Sequence, residues 1–243
     1  MHNNLMEDIM KNGFTLAEVL ITLGVVGVIA AMTLPSLITK VEKYVTVIKV
    51  KKLYSELNRN LRIAVSENGD IDDWDWSQNN GGGFSTLLDK YFEITDKENN
   101  TLIWKVNDAG GRYAFCPWAH KRYRKNGQLI CISNFMSGGY AWSMGPVVYI
   151  VVDINGDKKP NRVGRDVFTF LIPSKNANNG CDSVHYGYFN HNSNFVYPVF
   201  YKCPRDYLLK RCNNTGEGGN YNGLSCAELI RSDGWKIKDG YPW

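Results

Sequence analysis

Residues 14–38 read FTLAEVLITLGVVGVIAAMTLPSLI, an apolar run of 25 residues with a single ionisable side chain, Glu18. About 20 apolar residues cross the bilayer core as a helix, so the run is long enough to span. It exceeds the apolar region of an ordinary removable signal, about 7–15 residues. The stretch before it also carries Glu7 and Asp8 beside Lys11, unlike the basic start of such a signal. A carboxylate within a span costs about 2.5–3.5 kcal/mol on insertion scales. Glu18 therefore needs a partner or a task.

The helical pattern continues past Pro35. Leu37, Val41, Tyr44, Ile48, Leu53, Leu57, Leu61 and Ala64 recur every three to five residues, the mark of an apolar stripe on a helix. Gly69 and Asp70 are the expected stop. Pro35 lacks an N–H, and Gly27 weakens the turns before it, so a kink or local opening is expected around residues 31–34. Lys49, Lys51, Lys52 and Arg59 form a basic face that reads as solvated surface.

Beyond Gly69 the texture changes to short runs split by Gly, Asn and Pro. A short helix is expected over residues 84–92, and strands over 101–106, 112–115, 129–132, 147–153 and 167–172. Hydrophobic content of 44% and aromatic content of 13% support a folded body. The expected class is α+β, one long helix packed on an antiparallel sheet. Four segments follow: residues 1–13 as a leader, 14–38 as a transmembrane helix, 39–68 as an amphipathic helix, and 69–243 as the body.

Cys116, Cys131, Cys181, Cys203, Cys212 and Cys226 all lie in the body. No C-x-x-C pair is present, and an even count behind a membrane segment favours disulfides in an oxidising compartment. Short separations suggest Cys116–Cys131 and Cys203–Cys212, leaving Cys181 for Cys226. Positive-inside counting points the other way: Lys40, Lys43, Lys49, Lys51 and Lys52 follow the span. The cysteines outweigh the lysines, because large domains translocate largely regardless of charge.

Gly13-Phe14-Thr15-Leu16-Ala17-Glu18, followed by the long apolar helix, resembles the start of type IV prepilins and type II secretion pseudopilins. The resemblance implies cleavage by prepilin peptidase between Gly13 and Phe14 and N-methylation of Phe14. It also implies an assembly role for Phe14, Glu18 and Pro35. Cutting there frees a cationic amine, and an apolar environment favours pairing it with a carboxylate. Between neighbouring subunits, that pairing fixes an axial register; within one subunit, Glu18 has its own Phe14 terminus on the same face. Identical or related subunits and the inner membrane are the implied partners, with the body periplasmic or extracellular.

In the body, Asp153, Asn155, Asp157 and Asp166 offer oxygen ligands in sequence, as a calcium loop does. The rival reading is a turn reversed at Asn155-Gly156, and it is the favoured one, because no glutamate closes the loop. Some pseudopilins bind calcium in this domain, which keeps the ion as a candidate cofactor. Cys116, His120, Cys131, His185 and His191 match no zinc spacing. Trp235, Tyr241 and Trp243 at the end of the chain read as packing more than as a ligand face. No nucleophile, phosphate-loop or zinc-protease motif is present, so no enzymatic reading arises. The reading is a filament subunit. The alternative is a minor tip subunit that binds a surface, DNA or a secreted substrate. A net charge of +4 permits nucleic acid without calling for it.

Overall fold

A computed structural model describes residues 14–74, 84–101, 104–105, 112–113, 120–135, 147–156, 158–175, 177, 181, 194–212 and 223–243. Two compact units divide between Tyr44 and Val45. The first helix, α1 (Leu16–Asn68), contributes to both.

In the second unit α1 buries Val47, Val50, Leu53, Leu57, Leu61 and Ala64, a spacing of three or four that keeps one face inward. From Leu53 onward this is the expected stripe. Before it the register differs: Tyr44 and Ile48 are exposed, and Thr46, Val47 and Val50 point inward. Apolar residues surround this part of the helix, so periodicity there fits two faces equally well. The helix stops where expected. Gly69 sits at φ +83°, a conformation that favours glycine, and its N–H reaches the Val65 carbonyl at 2.9 Å.

A 3₁₀ turn (Ile71–Asp73) and α2 (Phe84–Tyr91) lead into the strands. These are β1 (Ile94–Thr101), β2 (Trp104–Lys105), β3 (Arg112–Tyr113), β4 (His120–Arg124), β5 (Leu129–Phe135), β6 (Val147–Asp153), β7 (Val167–Pro173) and β8 (Tyr197–Pro198). Two short helices follow, α3 (Arg205–Cys212) and α4 (Cys226–Ser232). The main sheet runs β1-β4-β5-β6-β7-β8, every neighbour antiparallel, with β2 and β3 paired separately. A long apolar helix, an antiparallel sheet and C-terminal disulfides make an α+β, pilin-like fold.

Strands β6 and β7 are buried at every residue, which is why they read as unbroken apolar runs rather than alternations. Tyr54 of α1 stacks on Phe170 of β7, with ring centroids 6.2 Å apart, and identifies the face that meets the helix. Of residues 101–106, expected as one strand, Thr101 closes β1, which begins earlier at Ile94, and Trp104–Lys105 form β2; residues 102, 103 and 106 lie outside the described residues.

Strand β4 reads HKRYR and has no apolar alternation. Its inward residues are two arginines, each 2% exposed. Arg124 contacts Glu56 of α1 at 3.3 Å and donates from Nε to the Phe92 carbonyl at 3.2 Å. Arg122 lies 3.2 Å from Asp89 of α2. Burial pulls Arg122 below the ordinary arginine range, while Asp89 acts in the opposite direction. Buried charge is tolerated here because a carboxylate on a helix meets each guanidinium.

The disulfides correct two expected pairings. Cys181 bonds Cys203 and Cys212 bonds Cys226, with Cα separations of 5.7 and 4.7 Å. Cys203 cannot meet Cys212 because α3 lies between them, and about eight helical residues at 1.5 Å each exceed the span of a disulfide. Cys131 is also disulfide-bonded; its expected partner, Cys116, falls outside the described residues.

Candidate functional site

At the head of α1, Thr15 and Glu18 cap each other. Glu18 Oε2 accepts the Thr15 backbone N–H at 2.8 Å and the Thr15 hydroxyl at 2.9 Å. The Glu18 N–H in turn reaches Thr15 Oγ1 at 3.2 Å. This is a capping box, in which side chains satisfy donors that the first turn leaves open. The T-x-x-E pattern before an apolar run signals it in the sequence, and the motif reading passed over it. In the uncleaved chain the observed partner of Glu18 is thus Thr15; the Phe14 amine expected to pair with it arises only on cleavage. Phe14 is exposed, and Gly13 lies outside the described residues.

The apolar side chains that follow are exposed from Leu16 to Ile38. By length and composition the helix is able to cross a membrane. It passes Pro35 without a break, so the local opening expected around residues 31–34 is not found. Hydroxyls bond carbonyls on both sides of the proline: Thr33 reaches Ile29 O and Thr39 reaches Pro35 O, each at 3.0 Å.

The loop between β6 and β7 gathers Asp153, Asn155 and Asp166; Asp157 lies outside the described residues. Asp166 is almost fully buried and receives the backbone N–H of Asn161 at 2.7 Å, that of Arg162, and Asn155 Nδ2 at 3.2 Å. Burial pushes its carboxyl up, against these donors. Asp153 Oδ1 accepts the Asn155 N–H at 3.2 Å, an Asx turn. A carboxylate ringed by N–H donors anchors a loop; a calcium ligand presents its oxygens to the ion. Asp166 thus has the surroundings of an anchor. Among the described residues no group of three or more His, Cys, Asp or Glu is placed to hold a metal ion. Asn155-Gly156 is only the first bend of a longer loop, because Asp153 pairs across to Val167. His185 and His191 lie outside the described residues, as does the side chain of His120.

The C-terminal aromatics serve packing. Tyr241 is buried and its hydroxyl donates to the Gly164 carbonyl; burial raises it well above the ordinary tyrosine range. Trp235 lies 5.6 Å from Tyr54, and Arg165 sits 5.2 Å from the Trp243 ring. Gly164, at φ +85°, is confined because a Cβ there would stand 2.7 Å from Cys226 Sγ.

Three ion pairs in and around the short helices escaped sequence reasoning. Glu228, fully buried, accepts Arg231 Nε and Nη2 at 2.6 and 2.7 Å and the Lys202 N–H at 2.8 Å. Asp233 accepts Arg205 Nε and Nη2 at 2.9 and 3.0 Å, with Lys238 at 3.3 Å. The Glu228–Arg231 spacing, three apart on a helix, was the available signal.

Two family models match the chain. The prokaryotic N-terminal methylation motif matches residues 10–34, which include Gly13, Phe14, Thr15 and Glu18. A family of unknown function, DUF6613, matches residues 36–243. No curated protein and no solved structure matches the chain. The chain therefore belongs to the DUF6613 family and, with the methylation motif ahead of its long helix, is a type IV pilin-like protein.

Proposed function

We propose that this chain is a structural subunit of a type IV pilus or secretion pseudopilus filament. Prepilin peptidase cuts between Gly13 and Phe14, Phe14 is methylated, and α1 holds the subunit in the inner membrane until assembly. The observation that carries this reading is the exposed apolar helix headed by a capped carboxylate. Glu18 is held at the helix start by Thr15, beside the residue that would gain a cationic amine. In the uncleaved chain its bonds are to neutral donors. In a filament a neighbour's amine offers a charge-assisted bond, roughly twice as strong as a neutral one. Exchange of the one for the other gives docking a preferred register.

The oxidised cysteines support a body held outside the cytoplasm, and its work is assembly rather than catalysis. Mass spectrometry of the membrane-extracted protein tests the reading. A chain starting at methylated Phe14 is expected, and one starting at Met1 overturns it.

A further inference from the structure

The face of α1 turned away from the sheet carries positive charge. Ile48, Lys52, Ser55, Arg59, Arg62 and Ser66 recur four and three residues apart, one stripe on a helix, and all six are exposed. Leu53, Leu57 and Leu61 occupy the opposite side and are buried. Lys52 lies 3.7 Å from Glu56. Arg59 reaches only the neutral Asn60 Oδ1, at 3.3 Å. Neither Arg59 nor Arg62 meets a carboxylate among the described residues.

The sign of the charge reverses where the helix ends. Glu67, Asp70, Asp72 and Asp73 follow one another with no cation between them. Glu67 stands in the last turn, which holds no basic residue, although the helix dipole favours positive charge there. Part of this charge has a local use. Glu67 meets Lys90 at 2.8 Å, Asp70 caps the 3₁₀ turn, and Asp72 accepts the Lys175 N–H at 3.1 Å. Asp73 is exposed and takes part in no ion pair among the described residues.

Within one copy this order of charges opposes the helix dipole. Between copies shifted along the helix, the two signs meet. We propose that the outer face of α1 docks a second copy of this chain head to tail, with Arg59 and Arg62 of one copy against Asp72 and Asp73 of the next. The shift required is about 9–14 Å, the run from Asn68 back to Arg62 and Arg59 at 1.5 Å per residue. Such a contact joins two different surfaces and leaves one of each free at the ends, so it continues from copy to copy. Copies without the shift set arginine against arginine, and like charges reject that arrangement. The contact rests on the reading of the chain as a filament subunit and names the surfaces that meet.

Sedimentation of the full processed chain in nonionic detergent, at low and high salt, tests it. Wild type is expected to form concentration-dependent oligomers at low salt that disperse as salt rises, because exposed charges are screened. Arg59→Gln with Arg62→Gln, and separately Asp72→Asn with Asp73→Asn, are each expected to associate roughly tenfold more weakly, the scale of two exposed ion pairs. A mixture of the two variants retains one intact face and one intact end, so assembly is expected to stop at a dimer. Thermal unfolding as in wild type shows that each variant folds; where Asp72→Asn lowers it, Asp73→Asn alone carries the test. Monomeric wild type at low salt overturns the proposal, as do oligomers indifferent to salt or equally large in either variant. A mixture that grows past a dimer overturns it too. Wild type that stays monomeric and melts higher once phosphatidylglycerol joins the micelles assigns the face to lipid instead. The start of the chain at Phe14 is read separately by mass spectrometry, so failure of the contact and failure of the filament reading are told apart.

Discussion

The Asn58 side chain pairs with the Val196 backbone in both directions: Nδ2 donates to the carbonyl at 3.1 Å, and Oδ1 accepts the N–H at 2.9 Å. An amide on a helix thus completes the hydrogen bonding of a strand approach, immediately before β8. Asn58→Leu removes both bonds and strands two buried backbone groups, at about 1–3 kcal/mol each. The expected loss is about 2–6 kcal/mol in urea unfolding. Asn58→Asp keeps the acceptor but sets a buried carboxylate against the Val196 carbonyl, so it is expected to be destabilising at neutral pH and to recover in part as pH falls.

The second prediction concerns assembly. Glu18→Ala removes the carboxylate without touching Gly13-Phe14, so cleavage and methylation continue while incorporation into sheared filaments is lost. N-terminal mass spectrometry and the filament fraction read the two effects separately. Normal incorporation of the variant would contradict the register argument.

Arg124 and Glu56 join β4 to α1 at the core boundary. Arg124→Met leaves the half-buried Glu56 with only the exposed Lys52, 3.7 Å away, as its partner, and a loss of about 1–3 kcal/mol is expected. Adding Glu56→Gln removes the weakly paired charge and restores part of it. A double-mutant cycle measures the coupling.

The Cys212–Cys226 bond closes a short loop between α3 and α4. Replacing both cysteines by serine frees that loop in the unfolded chain, and about 3 kcal/mol is the expected cost. The pair is buried, so two serine hydroxyls add a smaller penalty of their own. Urea midpoints with and without reductant check it: reductant lowers the wild-type midpoint further than that of the double variant.

Acid stability follows from Asp233. Burial works to raise its carboxyl, yet Arg205 and Lys238 outweigh burial and hold it below its ordinary value of 3.8. A depressed folded pKa contributes stability above the unfolded value, and that contribution is lost as pH falls through the folded one. Melting temperature is therefore expected to drop below about pH 4. Asp233→Asn should be less stable at neutral pH and show a flatter acid limb. An acid limb as steep as in wild type would assign the transition to other carboxylates.

Patterns that depend on neighbours in sequence were legible. The span from Phe14, the stop at Gly69, helix α2 to within a residue, the full extent of β6, and β7 up to Ile172 all follow from local chemistry. Strand β4 was not legible, because its inward faces are arginines and their helix carboxylates, Glu56 and Asp89, are remote in sequence. Helices α3 and α4 escaped for a similar reason. In α3 only Leu208 and Cys212 are buried, too few to set a period. The disulfides were misread because short separation was taken as proximity, where an intervening helix enforces distance. At the candidate site, the residues of the N-terminal motif were evident, but the bond from Glu18 to Thr15 was not. A motif names residues, and only geometry says which one a carboxylate holds.

The sheet's two outer strands bear on how copies of this chain can add to one another. At one edge, β8 is two residues long and ends in Pro198, which has no N–H to offer. At the other, β1 carries Asp96, Lys97 and Glu98 in succession, charges that resist a flat join to another strand. Among the described residues, both edges of the main sheet therefore disfavour growth by strand addition, the route to amyloid-like stacking.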